Sequence, residues 1–293
     1  MKKGLVIRDR VAVTPSTVLH PGDRIEFLSP GDEAPAAKTG GIPHFEILYE
    51  DEDIVVVDKP PGLVVHPGAG RPGDTLMDAL VRTRPEMIGV GEPLRWGVVH
   101  RLDRDTSGVM VMAKTAHAHA VLSRQFKGHS IRRVYLALVR GNPGKDEGVV
   151  DAPLGRHVKD RKRMSTTTTK PRHALTRWRV IQRFGKFTLL DVRPETGRTH
   201  QIRVHLASAG LPVAGDPVYG KSRRAKGTSD STVRFVEAAL KRQALHAAVL
   251  GFIHPNSGRF VEFSSPLPGD IETAIRIVRG PEDRNHTNSQ PSM

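Results

Sequence analysis

The sequence predicts an α+β protein with a largely antiparallel sheet. Three observations carry this. Short apolar runs of strand length outnumber helical repeats. The two kinds do not alternate regularly, as they would in a doubly wound fold. Val180-Ile181 and Phe187 to Val192 read as a hairpin around Gly185-Lys186.

The elements follow in chain order. Val11-Val13 and Ile25-Phe27 read as short strands around turns, in a piece (1–28) too small for its own core. Residues 29–43, rich in Gly, Pro and Ala, read as a linker. The main body runs from 44 to 279. In it Ile54-Val57 is a buried strand, stopped by Lys59-Pro60-Pro61-Gly62. Asp74 to Arg84 has helical spacing, with Leu76, Leu80 and Val81 on one side and Asp74 as N-cap. Val109-Met112 is a strand, Ala116 to Lys127 a helix, and Val134 to Val139 a strand. Arg198 to Ala209 places Ile202, His205, Leu206 and Ala209 on one helical face, and Gly210 ends it. Ala247-Leu250 and Arg259-Phe263 are strands, and Pro268 to Val278 is the last helix. Residues 280–293 are polar and read as a disordered tail.

The chain has 293 residues, a net charge of +14 and no cysteine. That excludes a disulfide scaffold, thiolate metal sites, iron–sulfur clusters and a cysteine nucleophile. No run approaches the ~18 apolar residues of a membrane span, and the first residues lack a signal-peptide core. The expectation is a cytoplasmic protein. The charge is concentrated: residues 124–183 hold 16 Lys+Arg against 4 Asp+Glu, whereas residues 1–50 have a net charge of −1. The densest cluster, Arg156 to Arg163, leads into Ser165-Thr169, Lys170 and Arg172. This stretch reads as an exposed loop or ribbon, either a solvated surface or a grip on several phosphates. Aromatics at 5% are too few for a stacking platform.

Two segments concentrate chemistry. His100-Arg101-Leu102-Asp103-Arg104-Asp105-Thr106-Ser107-Gly108 packs acids, arginines and a histidine between apolar runs. It is either a site where a carboxylate acts as nucleophile or base, or a salt-bridged turn. The order His-Arg-Leu-Asp, without a glycine-rich loop or Asp-Phe-Gly, does not fit a kinase. Gly197-Arg198-Thr199-His200-Gln201-Ile202-Arg203-Val204-His205 carries two arginines and two histidines. Arg203 has the reach to orient a carboxylate through a bidentate contact, or is a surface cation. His200 and His205, five apart, miss the i, i+4 zinc spacing, so no metal site is expected.

With Asp53 to Gly62, Tyr135 to Val139 and Gly215-Asp216-Pro217-Val218-Tyr219-Gly220, these make five ordered segments. Together they resemble the RluA-type pseudouridine synthases, from about Phe45 to Leu267. The first 28 residues resemble the second half of a small ribosomal-protein-like RNA-binding domain. The resemblance implies a mixed, mainly antiparallel sheet with flanking helices and a central catalytic cleft. It implies isomerisation of uridine in RNA without cofactor or metal. Asp103 would attack the sugar or take a sugar proton, Arg203 would pair with it, and Tyr135 would stack on the base and assist deprotonation. Arg101 would fill the space of the flipped nucleotide. Leu245 would line the base pocket, with His100 and Arg198 also facing substrate. The implied partner is large-subunit rRNA, with tRNA as the alternative, bound by a monomer. A non-catalytic RNA-binding or ribosome-assembly factor is the competing class.

Overall fold

The computed structural model describes residues 5–8, 11–12, 22, 25–28, 44–67, 75–160, 163–220 and 230–280. The expected linker (29–43), the expected tail beyond residue 280 and the expected cap Asp74 lie outside them.

Three short strands come first: β1 (Leu5–Arg8), β2 (Val11–Ala12) and β3 (Ile25–Leu28). They form an antiparallel sheet in the order β2-β1-β3. β4 (Glu46–Glu50) and β5 (Ile54–Lys59) form an antiparallel pair. Their turn closes because the Asp51 carboxylate accepts the N–H groups of Asp53 and Ile54, both at 2.9 Å. α1 (Leu76–Thr83) starts at Thr75, not at Asp74 as expected. Thr75 and Asp78 form a reciprocal capping box, which satisfies two otherwise unpaired helix N–H groups. A single 3-10 turn, Pro85–Met87, follows.

β6 (Ser107–Ala113) is buried along its length, and α2 (Ala116–Lys127) is capped by Thr115. Then come β7 (Arg132–Arg140), β8 (Glu147–Asp151), β9 (Gly155–Arg156), β10 (Met164–Ser165), β11 (Leu175–Phe184) and β12 (Phe187–Pro194). The chain continues through α3 (Gln201–Ser208), α4 (Ser231–Ala239), β13 (Leu245–Ile253), β14 (Phe260–Ser264) and α5 (Gly269–Arg279). The helix expected from Arg198 begins three residues later. Arg198 to His200 form a turn instead, with His200 in the left-handed region (φ 55°) as N-cap.

The chain divides into two compact units. The first holds residues 1–104, 110–130 and 252–261; the second holds 105–109, 131–251 and 262–293. In the first unit, α1 turns Leu76, Met77, Leu80 and Val81 inward, and α2 buries Ala118 and Leu122. In the second unit, β12 pairs antiparallel with β7 and β11, β8 with β11, and β13 with β7. The single parallel pairing described there joins β13 to the start of β6, with His246 opposite Ser107 and Ala247 opposite Gly108. Leu138, Leu190, Val192 and Leu245 from the strands share one core with Ile202, Leu206, Val233, Val236, Ile271 and Ile275 from α3, α4 and α5. Those helical positions lie three or four apart, so each helix commits one face.

Gly108 shows why that crossing tolerates no side chain. Its φ is +118°, and a Cβ built there would stand 2.2 Å from the Ala247 carbonyl oxygen. A residue larger than glycine would have to push β13 away from β6.

Candidate active site

Asp103 sits half-buried in the first unit, on the segment between His100 and β6. That segment is held mainly through its backbone. Lys59 is fully buried, and its ammonium donates to the carbonyls of Pro60 (2.8 Å), Leu63 (3.0 Å) and Arg104 (2.9 Å). The Gly62 N–H also donates to Arg104 O, at 2.9 Å. The Lys-Pro-Pro-Gly turn therefore clamps the residue next to Asp103. His100 supports the other side. Its Nε2 accepts the Val111 N–H at 3.1 Å, and its ring stacks on Phe126 with centroids 4.4 Å apart. The accepting Nε2 places the ring proton on Nδ1 in the neutral form. Leu102 is buried and Arg101 is exposed.

In the second unit the same segment continues through Asp105, Thr106 and Ser107, and each is held by a residue at the start of β13 or just before it. Arg242 donates to Asp105 O at 3.0 Å while forking onto Asp270 at 2.7 and 2.8 Å. Gln243 donates to Thr106 Oγ1 at 3.2 Å. His246 Nε2 donates to Ser265 O at 3.1 Å, so its Nδ1 accepts from Ser107 Oγ at 3.0 Å. Leu245 is buried opposite Ala137 in the core.

Tyr135 is half-buried on β7, opposite Val192 and Ala247. Arg203 is buried on α3. Its Nε and Nη2 fork onto the two oxygens of Asp216 at 2.7 and 2.9 Å. The Asp216 carboxylate also accepts the N–H groups of Val218 (2.8 Å) and Tyr219 (3.0 Å). Burial pushes the Asp216 carboxyl up, but the Arg203 guanidinium and the two N–H donors outweigh it and hold the group below the usual carboxylate range. Two glycines make this turn possible. A Cβ at Gly215 would stand 2.3 Å from Arg242 O, and one at Gly220 2.5 Å from Asp216 O.

The remaining polar residues of the second segment are braces. Gln201 accepts from Thr196 Oγ1 (2.6 Å) and the Arg198 N–H (3.0 Å), and donates to Leu175 O and Thr176 Oγ1. His205 bridges Thr176 Oγ1 and Ala152 O, both at 2.9 Å, and burial pushes its imidazole pKa down, so it is neutral at pH 7. Arg198 is exposed and donates to His173 O. Among the described residues no group of three or more His, Asp or Glu is placed to hold a metal ion.

Neither Asp216 nor Tyr219 stands out by charge or spacing as a partner of Arg203. The signal available was that both lie in the Gly215 to Gly220 segment, one of the five that carry the family resemblance. Tyr219 also meets the basic stretch, which forms an antiparallel ribbon of β9 and β10 with Arg156, Lys159, Lys170 and Arg172 exposed. Its hydroxyl accepts the Met164 N–H at 2.8 Å and hydrogen-bonds His200 Nδ1 at 2.9 Å.

Known proteins match this arrangement. Residues 53–208 match the RNA pseudouridylate synthase family. The uncharacterised RNA pseudouridine synthase YlyB of Bacillus subtilis is 41% identical over 95% of this chain and 87% of its own. The ribosomal large subunit pseudouridine synthase D of Nitrosomonas europaea is 44% identical over 92% of this chain and 76% of its own. Among solved structures, human RNA pseudouridylate synthase domain containing 4 superposes with a TM-score of 0.62 at 26% identity, covering 80% of this chain and 93% of its own. By these matches the chain belongs to the RNA pseudouridylate synthase family.

Proposed function

We propose that this enzyme isomerises uridines of large-subunit ribosomal RNA, with Asp103 as the reacting carboxylate. Several relatives at 40–45% identity carry the name of that ribosomal enzyme. The observation that carries the assignment of Asp103 is the bracing around it. Lys59 and Gly62 fix the Arg104 carbonyl, and Arg242 fixes that of Asp105. A solvated salt-bridged turn needs no buried cation on its main chain. A carboxylate that must meet one sugar carbon does need fixed aim.

In this reading Asp103 acts on the sugar, as nucleophile at the anomeric carbon or as base toward a sugar proton. The C–N bond breaks, the uracil turns, and its C5 bonds to the same carbon, as that carbon's bond to Asp103 breaks or, in the base route, as Asp103 returns the proton to the sugar. The C5 proton then leaves, its bonding pair restores the C5=C6 bond, and N1 takes up a proton. Tyr135 stacks on the base and receives the C5 proton. Arg203, held by Asp216, supplies fixed positive charge for Asp103. Arg101 fills the space of the flipped nucleotide, while Leu245, His100 and Arg198 shape its surroundings. The isomerisation has no net redox change and consumes no co-substrate. No helix among the described residues is long and apolar enough to cross a membrane. We place the enzyme in the cytoplasm, as a monomer working on RNA.

The test is to map pseudouridines in the large-subunit rRNA of a deletion strain by carbodiimide primer extension. Sites lost on deletion and restored by the wild-type gene support the reading. An unchanged rRNA map with lost tRNA sites moves the substrate to tRNA. No change in either RNA refutes the assignment.

A further inference from the structure

Two guanidinium groups lie against the ring of Tyr219. Arg203 stands 5.1 Å from the ring centroid and has Asp216 as its buried counter-ion. Arg163, the residue just before β10, stands 5.6 Å from the same centroid. Its guanidinium has no hydrogen-bond or ion-pair partner among the described residues, and its Nε is buried without an acceptor.

The backbone of Arg163 is, by contrast, fully used. Its N–H donates to Asp160 O at 3.0 Å, and its carbonyl accepts the His157 N–H at 2.9 Å. The next residue is pinned by the Tyr219 hydroxyl through the Met164 N–H. Tyr219 itself is held by the Asp216 turn and is 9% exposed. So Arg163 is fixed at its main chain and seated on an aromatic face, while its charged fork is uncommitted. An unpaired buried donor is unfavourable and marks a group awaiting a partner. Exposed cations such as Lys159 and Lys170 attract any polyanion without fixing its position. A planar fork on an aromatic seat binds a tetrahedral oxyanion in one orientation.

We propose that Arg163 is a phosphate-binding residue for the RNA strand, and that Tyr219 is the positioning residue that seats it. This rests on the RNA-isomerase reading. It adds that one backbone phosphate is gripped against the ring that also backs Arg203. The ribbon then does more than raise the local RNA concentration. It sets the register of the strand relative to the arginine assigned to Asp103.

The experiment uses the full-length chain and an rRNA fragment carrying a modified site, with affinity measured across salt concentrations. Arg163→Gln should weaken binding roughly tenfold at about 0.1 M salt and flatten the logarithmic salt slope by about 0.7, one single-strand phosphate contact. Its melting temperature should match wild type, because no fold hydrogen bond is lost. One methylphosphonate, walked along the RNA, should weaken wild type at a single position and cost Arg163→Gln nothing more there. Tyr219→Leu, which removes the aromatic seat, should flatten the slope like Arg163→Gln. An unchanged slope and an unchanged methylphosphonate pattern in Arg163→Gln overturn the proposal, as does a melting-temperature loss that accounts for the weaker binding. Wild-type protein that binds the RNA but isomerises nothing overturns the parent reading instead, and the slope still decides this one.

Discussion

Asp216→Asn removes one charge from a buried fork and almost no volume. The Arg203 side chain is 5% exposed and that of Asp216 is fully buried. Removing one partner of such a pair leaves an uncompensated buried charge, at about 3–5 kcal/mol. Asparagine Oδ1 still accepts the Val218 and Tyr219 N–H groups, so the turn persists and the cost should lie near the lower end. With a urea m-value of about 3 kcal/mol/M for a chain this size, the midpoint should fall by about 1 M. Adding Arg203→Met removes the guanidinium that has lost its Asp216 counter-ion and should recover at least about 1 kcal/mol. The pH dependence has a definite sign. The folded-state pKa of Asp216 is lowered from 3.8, so its contribution is full above that value and is lost as pH falls below it. Wild-type and Asp216→Asn stabilities should converge in acid. Urea titrations followed by fluorescence and circular dichroism, from pH 7 down to about pH 2, measure all of this. A midpoint within 0.3 M of wild type (about 1 kcal/mol), or a double variant weaker than the single, would refute the claim that Arg203 depends on Asp216.

The other predictions concern the frame and the grip on RNA. Gly108→Ala meets both a positive φ and the Ala247 carbonyl, so it should cost about 1–3 kcal/mol from backbone strain alone. It should also lower the rate of isomerisation, because β6, which it forces apart from β13, begins four residues after Asp103; an unchanged single-turnover rate would count against this. Glu50 is held at about 2, below its usual 4.5, by hydrogen bonding to Arg84, against burial and with help from Lys114. Glu50→Gln should therefore destabilise by about 1 kcal/mol after solvent screening, fully above pH 4.5 and progressively less as pH falls toward 2. A loss independent of pH in thermal melts would show that the ion pair is not its source. Neutralising Arg156 and Lys159 together should flatten the salt slope of RNA binding by about 1.4; an unchanged slope returns them to being solvated charges.

Much of the fold was legible because apolar spacing survives burial. α2 is found at the expected residues, and α5 starts one residue later than expected. The hairpin at Gly185-Lys186 is present, but β11 is much longer than Val180-Ile181. Its outward positions are Arg177, Arg179, Ile181 and Arg183, and an apolar Ile181 facing out beside a half-buried Gln182 breaks the alternation that marks a strand. β4 escaped for a similar reason, since most of it is exposed. The start of α3 was misplaced because Thr199-His200 reads as helix by spacing, whereas His200 adopts a left-handed turn. At the site, the segments were legible but their internal partners were not. Arg203 forks onto a residue 13 positions away, and Lys59 reaches a carbonyl 45 positions away. Such pairs depend on the register of strands and turns, which local spacing does not encode.

The central claim is that Asp103 is the carboxylate that reacts. The direct measurement uses an rRNA fragment tritiated at uracil C5, since forming the new C–C bond releases that hydrogen. Asp103→Asn should release no tritium above background while binding the fragment within about threefold of wild type, as an isosteric change at a half-buried position should. Tritium release by Asp103→Asn at the wild-type single-turnover rate would contradict the account.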